Sequence, residues 1–190
     1  MFPWKKDLSA QQRHVWTIPN THEYIIIHHT GTPAWTLAGN IKILTGTNPD
    51  GTPYKTNDPV SAHVLVDFNG DAYKLGKSEQ TLWHAGKSCW GNLVGLNYHS
   101  IGIEIIWPTD NDFSNEQRGT VKALIGHFMA VYWIPVENVL RHKDLTWTWS
   151  SKKQLYDGKS PSRKPDVHDS LWKNFKSFDE YRRSIVPKAF

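Results

Sequence analysis

Apolar and polar positions along this chain change period several times, and each change marks an element. The first dense apolar run, Tyr24-Ile25-Ile26-Ile27-His28-His29-Thr30, is rich in β-branched residues and predicts a buried strand. Leu37 to Leu44 predicts a short helix, with Ile41 and Leu44 extending its apolar face. The stretch TGTNPDGTPYKTNDP is polar, broken by Pro49, Gly51, Pro53 and Pro59, and predicts a loop. Val60 to Asp67 and Asp71 to Leu75 predict two strands joined through Asn69-Gly70, a hairpin signal. Ile101 to Trp107 predicts another strand. Ser114 and Gln117 have capping-box spacing ahead of a helix with Val121, Leu124, Ile125, Phe128, Met129 and Tyr132 on its apolar face. Val139 to Arg141 predicts a short strand leading into His142. A polar loop over roughly 145–165 and helical turns around Ser170 to Ile185 follow. The order β-α-β-β-β-α-β-α predicts an α/β fold, a central mixed sheet flanked by helices. With no internal repeat or long linker, residues 1–190 read as one domain.

Composition narrows the function classes more than the fold. An apolar content of 38% with 21% charged residues fits a soluble globular protein. The single cysteine, Cys89, excludes an internal disulfide framework and reads as a buried thiol. No stretch approaches the ~20 apolar residues that span a bilayer, so membrane insertion is not expected. The opening MFPWKKDLSAQQRHVW holds no apolar run of signal-peptide length, so the expectation is synthesis in the cytoplasm without a classical export signal. Net charge is +4 with no dense basic block, which favours an anionic surface weakly and predicts no nucleic-acid partner. Ten tryptophans exceed what a core of this size calls for, and aromatic platforms for sugar rings would use the surplus.

Ten histidines raise the question of a metal. His28 and His29 end an interior strand, where imidazoles are costly without partners, and alternation points them to opposite faces. His142 follows the short strand from Val139, and Asp166 lies in Lys164-Pro165-Asp166 on a loop. Two imidazoles and a carboxylate form a tripod that leaves one zinc position open for water. The tripod is assembled from distant segments, so spacing alone does not single it out.

The segments IIIHHT, VSAHVLVDFNGDAYKL, WHAG, SIGIE, RHKD and RKPD run from about Tyr24 to Asp166. In content and order they resemble the N-acetylmuramoyl-L-alanine amidases of the second amidase family. That family includes phage lysozymes of the amidase type, cytoplasmic wall-recycling amidases and animal peptidoglycan recognition proteins. The resemblance implies a zinc hydrolase acting on peptidoglycan, with the zinc site at one end of the sheet. It implies His28 rather than His29 as a metal ligand, joined by His142 and Asp166. It implies Glu104 of SIGIE as the catalytic acid/base and Lys164 as the residue that steadies the transition state. His63, Trp83, His84, Asn97, Trp147 and Trp149 become candidates for contact with glycan or stem peptide, with a supporting or structural role as the equal alternative for His63 and His84 and packing as the alternative for each tryptophan. Two features depart from the family pattern. Val167-His168 follows Asp166 where the family has Pro-Gly, and the gap from His142 is long, so His168 is the nearest substitute for the third ligand. A phage-type endolysin module, monomeric and acting on the cell wall, is the leading expectation. A recycling amidase for anhydromuropeptides and a non-catalytic peptidoglycan-binding module are the rivals, although a binder needs no Glu104 and Lys164 beside a ligand set.

Overall fold

The computed structural model describes residues 2–31, 36–107 and 113–145. Along the chain its strands are β1 (Lys6–Asp7), β2 (Val15–Pro19), β3 (Tyr24–His29), β4 (Val64–Val66), β5 (Ala72–Lys74), β6 (Gln80–Leu82), β7 (Cys89–Trp90), β8 (Leu93–Val94), β9 (Ser100–Ile105) and β10 (Val139–Arg141). The helices are α1 (Leu37–Thr45), between β3 and β4, and α2 (Asn115–Tyr132), between β9 and β10. The central sheet has the order β1-β5-β4-β9-β3-β10. Its middle, β4-β9-β3-β10, is parallel, and β5 is antiparallel to β4. The predicted mixed α/β sheet is the observed one.

Strand alternation sorts the central strands into two faces. Ile25, Ile27, Ile101, Ile103 and Ile105 pack with Val121, Leu124, Ile125 and Phe128 of α2. On the opposite face Leu65, Tyr73 and Ile106 meet Leu37, Ile41 and Leu44 of α1, and Ile26 packs with Leu96, Leu140 and Leu145. A parallel strand covered on both faces reads as a continuous apolar run, which is why YIII and IGIEII lack a polar alternation.

The predicted capping box is present. Gln117 N donates to Ser114 Oγ at 3.0 Å and Ser114 N donates to Gln117 Oε1 at 3.2 Å. Two expectations differ in detail, and one ribbon is additional. The predicted strand from Val60 begins only at Val64, because Ser61 is drawn toward β2 and β6. Its Oγ donates to His14 O at 2.8 Å and accepts from Trp83 N at 2.8 Å. The Asn69-Gly70 hairpin is a longer loop, closed by Asp67 N donating to Asp71 O at 3.0 Å. Asp67 Oδ1 accepts from Asn69 N and Asp71 N, and Gly70 adopts φ 80° with Glu116 packed against it. The β2–β6 ribbon was not predicted, since β2 is mostly exposed and ends in a proline, leaving no apolar period to read. The predicted turns around Ser170 to Ile185 lie outside the described residues.

Candidate active site

The parallel register sets His28 of β3 directly beside Glu104 of β9, near the carboxyl ends of both strands. That end of an open α/β sheet is where clefts form. His142 follows β10, the other neighbour of β3, on the turn His142–Asp144. Asp144 fixes this turn: Arg141 N donates to Asp144 Oδ2 at 3.0 Å and the Arg141 guanidinium pairs with the same carboxylate. The Asp of RHKD thus positions the histidine two residues before it. The capping spacing from Arg141 to Asp144 was the available signal, and the sequence reading passed over it.

Together these elements wall a cavity of about 390 Å³, lined by His28, Asn40, Ser61, Trp83, His84, Glu104 and His142 among others. His28 is 1% exposed and His142 is 7% exposed. Their Nδ1 atoms face each other at 2.9 Å, with the rings nearly perpendicular. The His29 ring, on the side that alternation predicts, meets Trp107 edge-on with centroids 3.9 Å apart, while the residue also contributes to the cavity's lining.

His84 stands behind His28, its Nδ1 3.1 Å from His28 Nε2. The loop carrying it is clamped by Asn97, whose Oδ1 accepts from His84 N at 3.1 Å and Ala85 N at 2.7 Å. His63 lies one layer deeper, outside the cavity lining. Its Nδ1 accepts from Gly102 N at 3.0 Å and its Nε2 donates to Gln80 O at 2.9 Å. Burial pulls the His63 pKa from 6.5 to about 4. Burial, reinforced by the neighbouring His28, holds His84 well below 6.5 too. Both rings are therefore neutral near pH 7. Trp83 lines the cavity and meets Trp16 edge-on, with ring centroids 4.6 Å apart.

Of the residues singled out from sequence, the fold gathers His28, His142, Glu104, His84 and Trp83 around one cavity, with Asn97 and His63 behind it. Lys164, Asp166, His168, Trp147 and Trp149 lie outside the described residues. Sequence reasoning missed Asn40 and Ser61 as lining residues and Ser100 beneath His84. For Asn40 a lone polar residue inside an apolar stretch was the available hint.

The donor set suits zinc. Two imidazole nitrogens on one tetrahedral zinc, each bonded at about 2.0–2.1 Å, sit roughly 3.3 Å apart. The observed pair is within a few tenths of an ångström of that separation. Among the described residues no cluster of three or more His, Cys, Asp or Glu completes a site.

Fold and cleft together define an α/β protein with a histidine-lined cavity at the carboxyl end of a mixed sheet. A model of the N-acetylmuramoyl-L-alanine amidase family matches residues 19–157, and the chain belongs to that family. Over 106 residues it is 33% identical to N-acetylmuramoyl-L-alanine amidase AmiD of Escherichia coli (strain K12), covering 47% of this chain and 38% of AmiD. Over 128 residues it is 26% identical to 1,6-anhydro-N-acetylmuramyl-L-alanine amidase AmpD of Salmonella typhimurium (strain LT2), covering 64% of this chain and 68% of AmpD. The match to AmiD thus spans well under half of that relative. Among solved structures, an AmpD crystal structure superposes with a TM-score of 0.64 at 18% identity, covering 92% of this chain and 95% of AmpD. A mutant endolysin from Bacillus subtilis follows at 0.59 and 24% identity, covering 98% of this chain and 100% of the endolysin. At these identities the likeness is one of fold.

Proposed function

We propose that this chain hydrolyses the amide bond between N-acetylmuramic acid and L-alanine in peptidoglycan, using zinc held by His28, His142 and Asp166. The observation that carries the reading is the facing Nδ1 pair of His28 and His142 in the cavity that Glu104 also lines. Bound there, zinc would polarise the amide carbonyl and lower the pKa of its water toward ~7. Glu104 takes a proton from the attacking water and hands it to the departing alanine nitrogen, so the amide bond breaks with the proton accounted for. Lys164 offers a fixed positive charge to the oxyanion in a site partly shielded from water. The cavity walls, Trp83 among them, exclude solvent and present an aromatic face to sugar or peptide.

Within that chemistry the preferred substrate is intact cell wall, as for an endolysin. A net charge of +4 and ten tryptophans suit an anionic, sugar-rich polymer, and Trp147 and Trp149 supply platforms for it. A recycling role is the second reading. It is favoured by the relative AmpD, whose name specifies a 1,6-anhydro-N-acetylmuramyl substrate. Purified sacculi and soluble anhydromuropeptides, digested side by side and resolved by mass, separate the two. The endolysin reading expects free N-terminal L-alanine from sacculi with glycan strands uncut. Sacculi left intact while anhydromuropeptides are cleaved would replace it with the recycling role. No cleavage of either, with zinc bound, would end the amidase proposal.

A further inference from the structure

The histidine behind the proposed ligand pair belongs to a chain of hydrogen bonds whose direction can be read from one end. Ser100 Oγ lies 2.5 Å from Leu96 O, and a carbonyl oxygen only accepts, so the serine proton points there. Ser100 Oγ is 3.4 Å from His84 Nε2. Having given its one proton to Leu96, the hydroxyl accepts from the ring, so His84 is protonated on Nε2. A neutral imidazole carries one N–H, so His84 Nδ1 presents a lone pair. The atom facing that lone pair at 3.1 Å is His28 Nε2, which must therefore be the donor. The His28 proton is then on Nε2 and its lone pair on Nδ1, the atom turned toward His142.

A second observation shows that this arrangement is built in. His84 lies flat over Gly102, the glycine of SIGIE, where any Cβ would sit 2.4 Å from His84 Cγ. The Asn97 clamp on the His84 and Ala85 amides fixes the backbone that carries the ring. Gly102 faces the same side as His28 and Glu104, so the missing side chain is the slot that lets the relay reach β3.

We infer that His84, anchored by Ser100 and Leu96 O, is a positioning residue that sets the tautomer of His28 before any metal arrives, leaving the Nδ1 lone pair aimed into the cavity. The inference rests on the zinc reading for its purpose and stands apart from it in its test. Partners of this kind orient ligating imidazoles and typically change metal affinity by about 10- to 100-fold.

Long-range ¹H–¹⁵N correlation on the metal-free, ¹⁵N-histidine-labelled full chain reads the tautomer directly, and competition against a chromophoric chelator reads affinity for zinc alone. Wild type is expected to hold His28 in the Nε2–H form. His84→Phe keeps an aromatic ring in the slot and removes the acceptor. It should mix the His28 tautomers and weaken zinc binding by about 10- to 100-fold. Ser100→Ala, a gentler change should the first variant fail to fold, should loosen the His84 tautomer and produce a smaller loss in the same direction. An Nδ1–H form of His28 in wild type overturns the relay. Unchanged zinc affinity in folded variants overturns it equally. Wild type that takes up no zinc sinks the metal reading instead, and the tautomer alone then decides for or against the relay.

Discussion

The two faces of β3 and β9 are one residue apart in sequence and serve opposite ends. Toward α2 the strands present Ile25, Ile27, Ile101, Ile103 and Ile105, all fully buried among aliphatic and aromatic neighbours. Toward the cavity the intervening positions are Ile26, His28, Gly102 and Glu104, with a glycine slot and the imidazoles of His84 and His142 nearby. Burying imidazoles costs free energy that hydrogen bonds recover only in part, so the cavity face depends on the α2 face for rigidity. Chemistry-bearing groups are held by strands whose other side is already packed, and that separation lets each face be altered by itself.

The largest expected effect tests which face carries the metal. His28→Ala should abolish zinc binding and turnover together, whereas His29→Ala, on the side of Trp107, should retain both. Metal analysis of the two purified variants checks this, and equal loss in both would erase the distinction between faces. Next, Glu104→Gln should keep fold and zinc while turnover falls by about 10²–10⁴-fold, because an amide cannot accept the water's proton. Near-normal rates would move the base elsewhere in the cavity.

On the α2 face, Ile103→Ala should lower unfolding free energy by about 2–5 kcal/mol while leaving turnover per folded molecule unchanged. Urea titration paired with activity measures both, and lost turnover at full folding would mean that the faces are coupled. A smaller test is pH. The folded His63 pKa of about 4 lies below the ordinary 6.5, so its contribution is fully present above 6.5 and is lost as pH falls toward 4. The drop is worth roughly 3 kcal/mol for this nearly fully buried ring, and His84 adds to it in the same direction. Denaturation of metal-free protein should therefore become easier from pH 6.5 downward, and a flat profile from 6.5 to 5 would contradict the burial argument. Smallest is the helix start: Ser114→Ala should cost about 1 kcal/mol by opening the capping box, with no change in the cavity.

How much of this was legible beforehand follows physical lines. The strand Tyr24–His29, the helix after Ser114 and the short strand Val139–Arg141 were readable because their apolar periods and caps are local. The pairing of His28 with His142 was one candidate among ten histidines until the resemblance of HHT and RHKD to amidase segments selected it, and no periodicity could have done so. His63, a candidate for the cleft or for a structural role, and Asn97, a candidate for the stem peptide, both make hydrogen bonds to backbone groups behind the cavity. Whether a buried polar side chain meets ligand or main chain is decided by its neighbours, which a sequence does not list.

By itself the sequence determined the alternation that puts Ile26, His28, Gly102 and Glu104 on one face of their strands and Ile25, Ile27, Ile101, Ile103 and Ile105 on the other, since that follows from a period of two. It also determined where α2 begins, through Ser114 and Gln117. Only the tertiary structure decided that β3 and β9 are parallel neighbours in a register that sets His28 beside Glu104. It alone decided that β10 brings His142 to the same cavity, and that Gly102 is small because His84 lies upon it. Those contacts join residues tens of positions apart, and the packing that selects them is a property of the whole fold rather than of any segment.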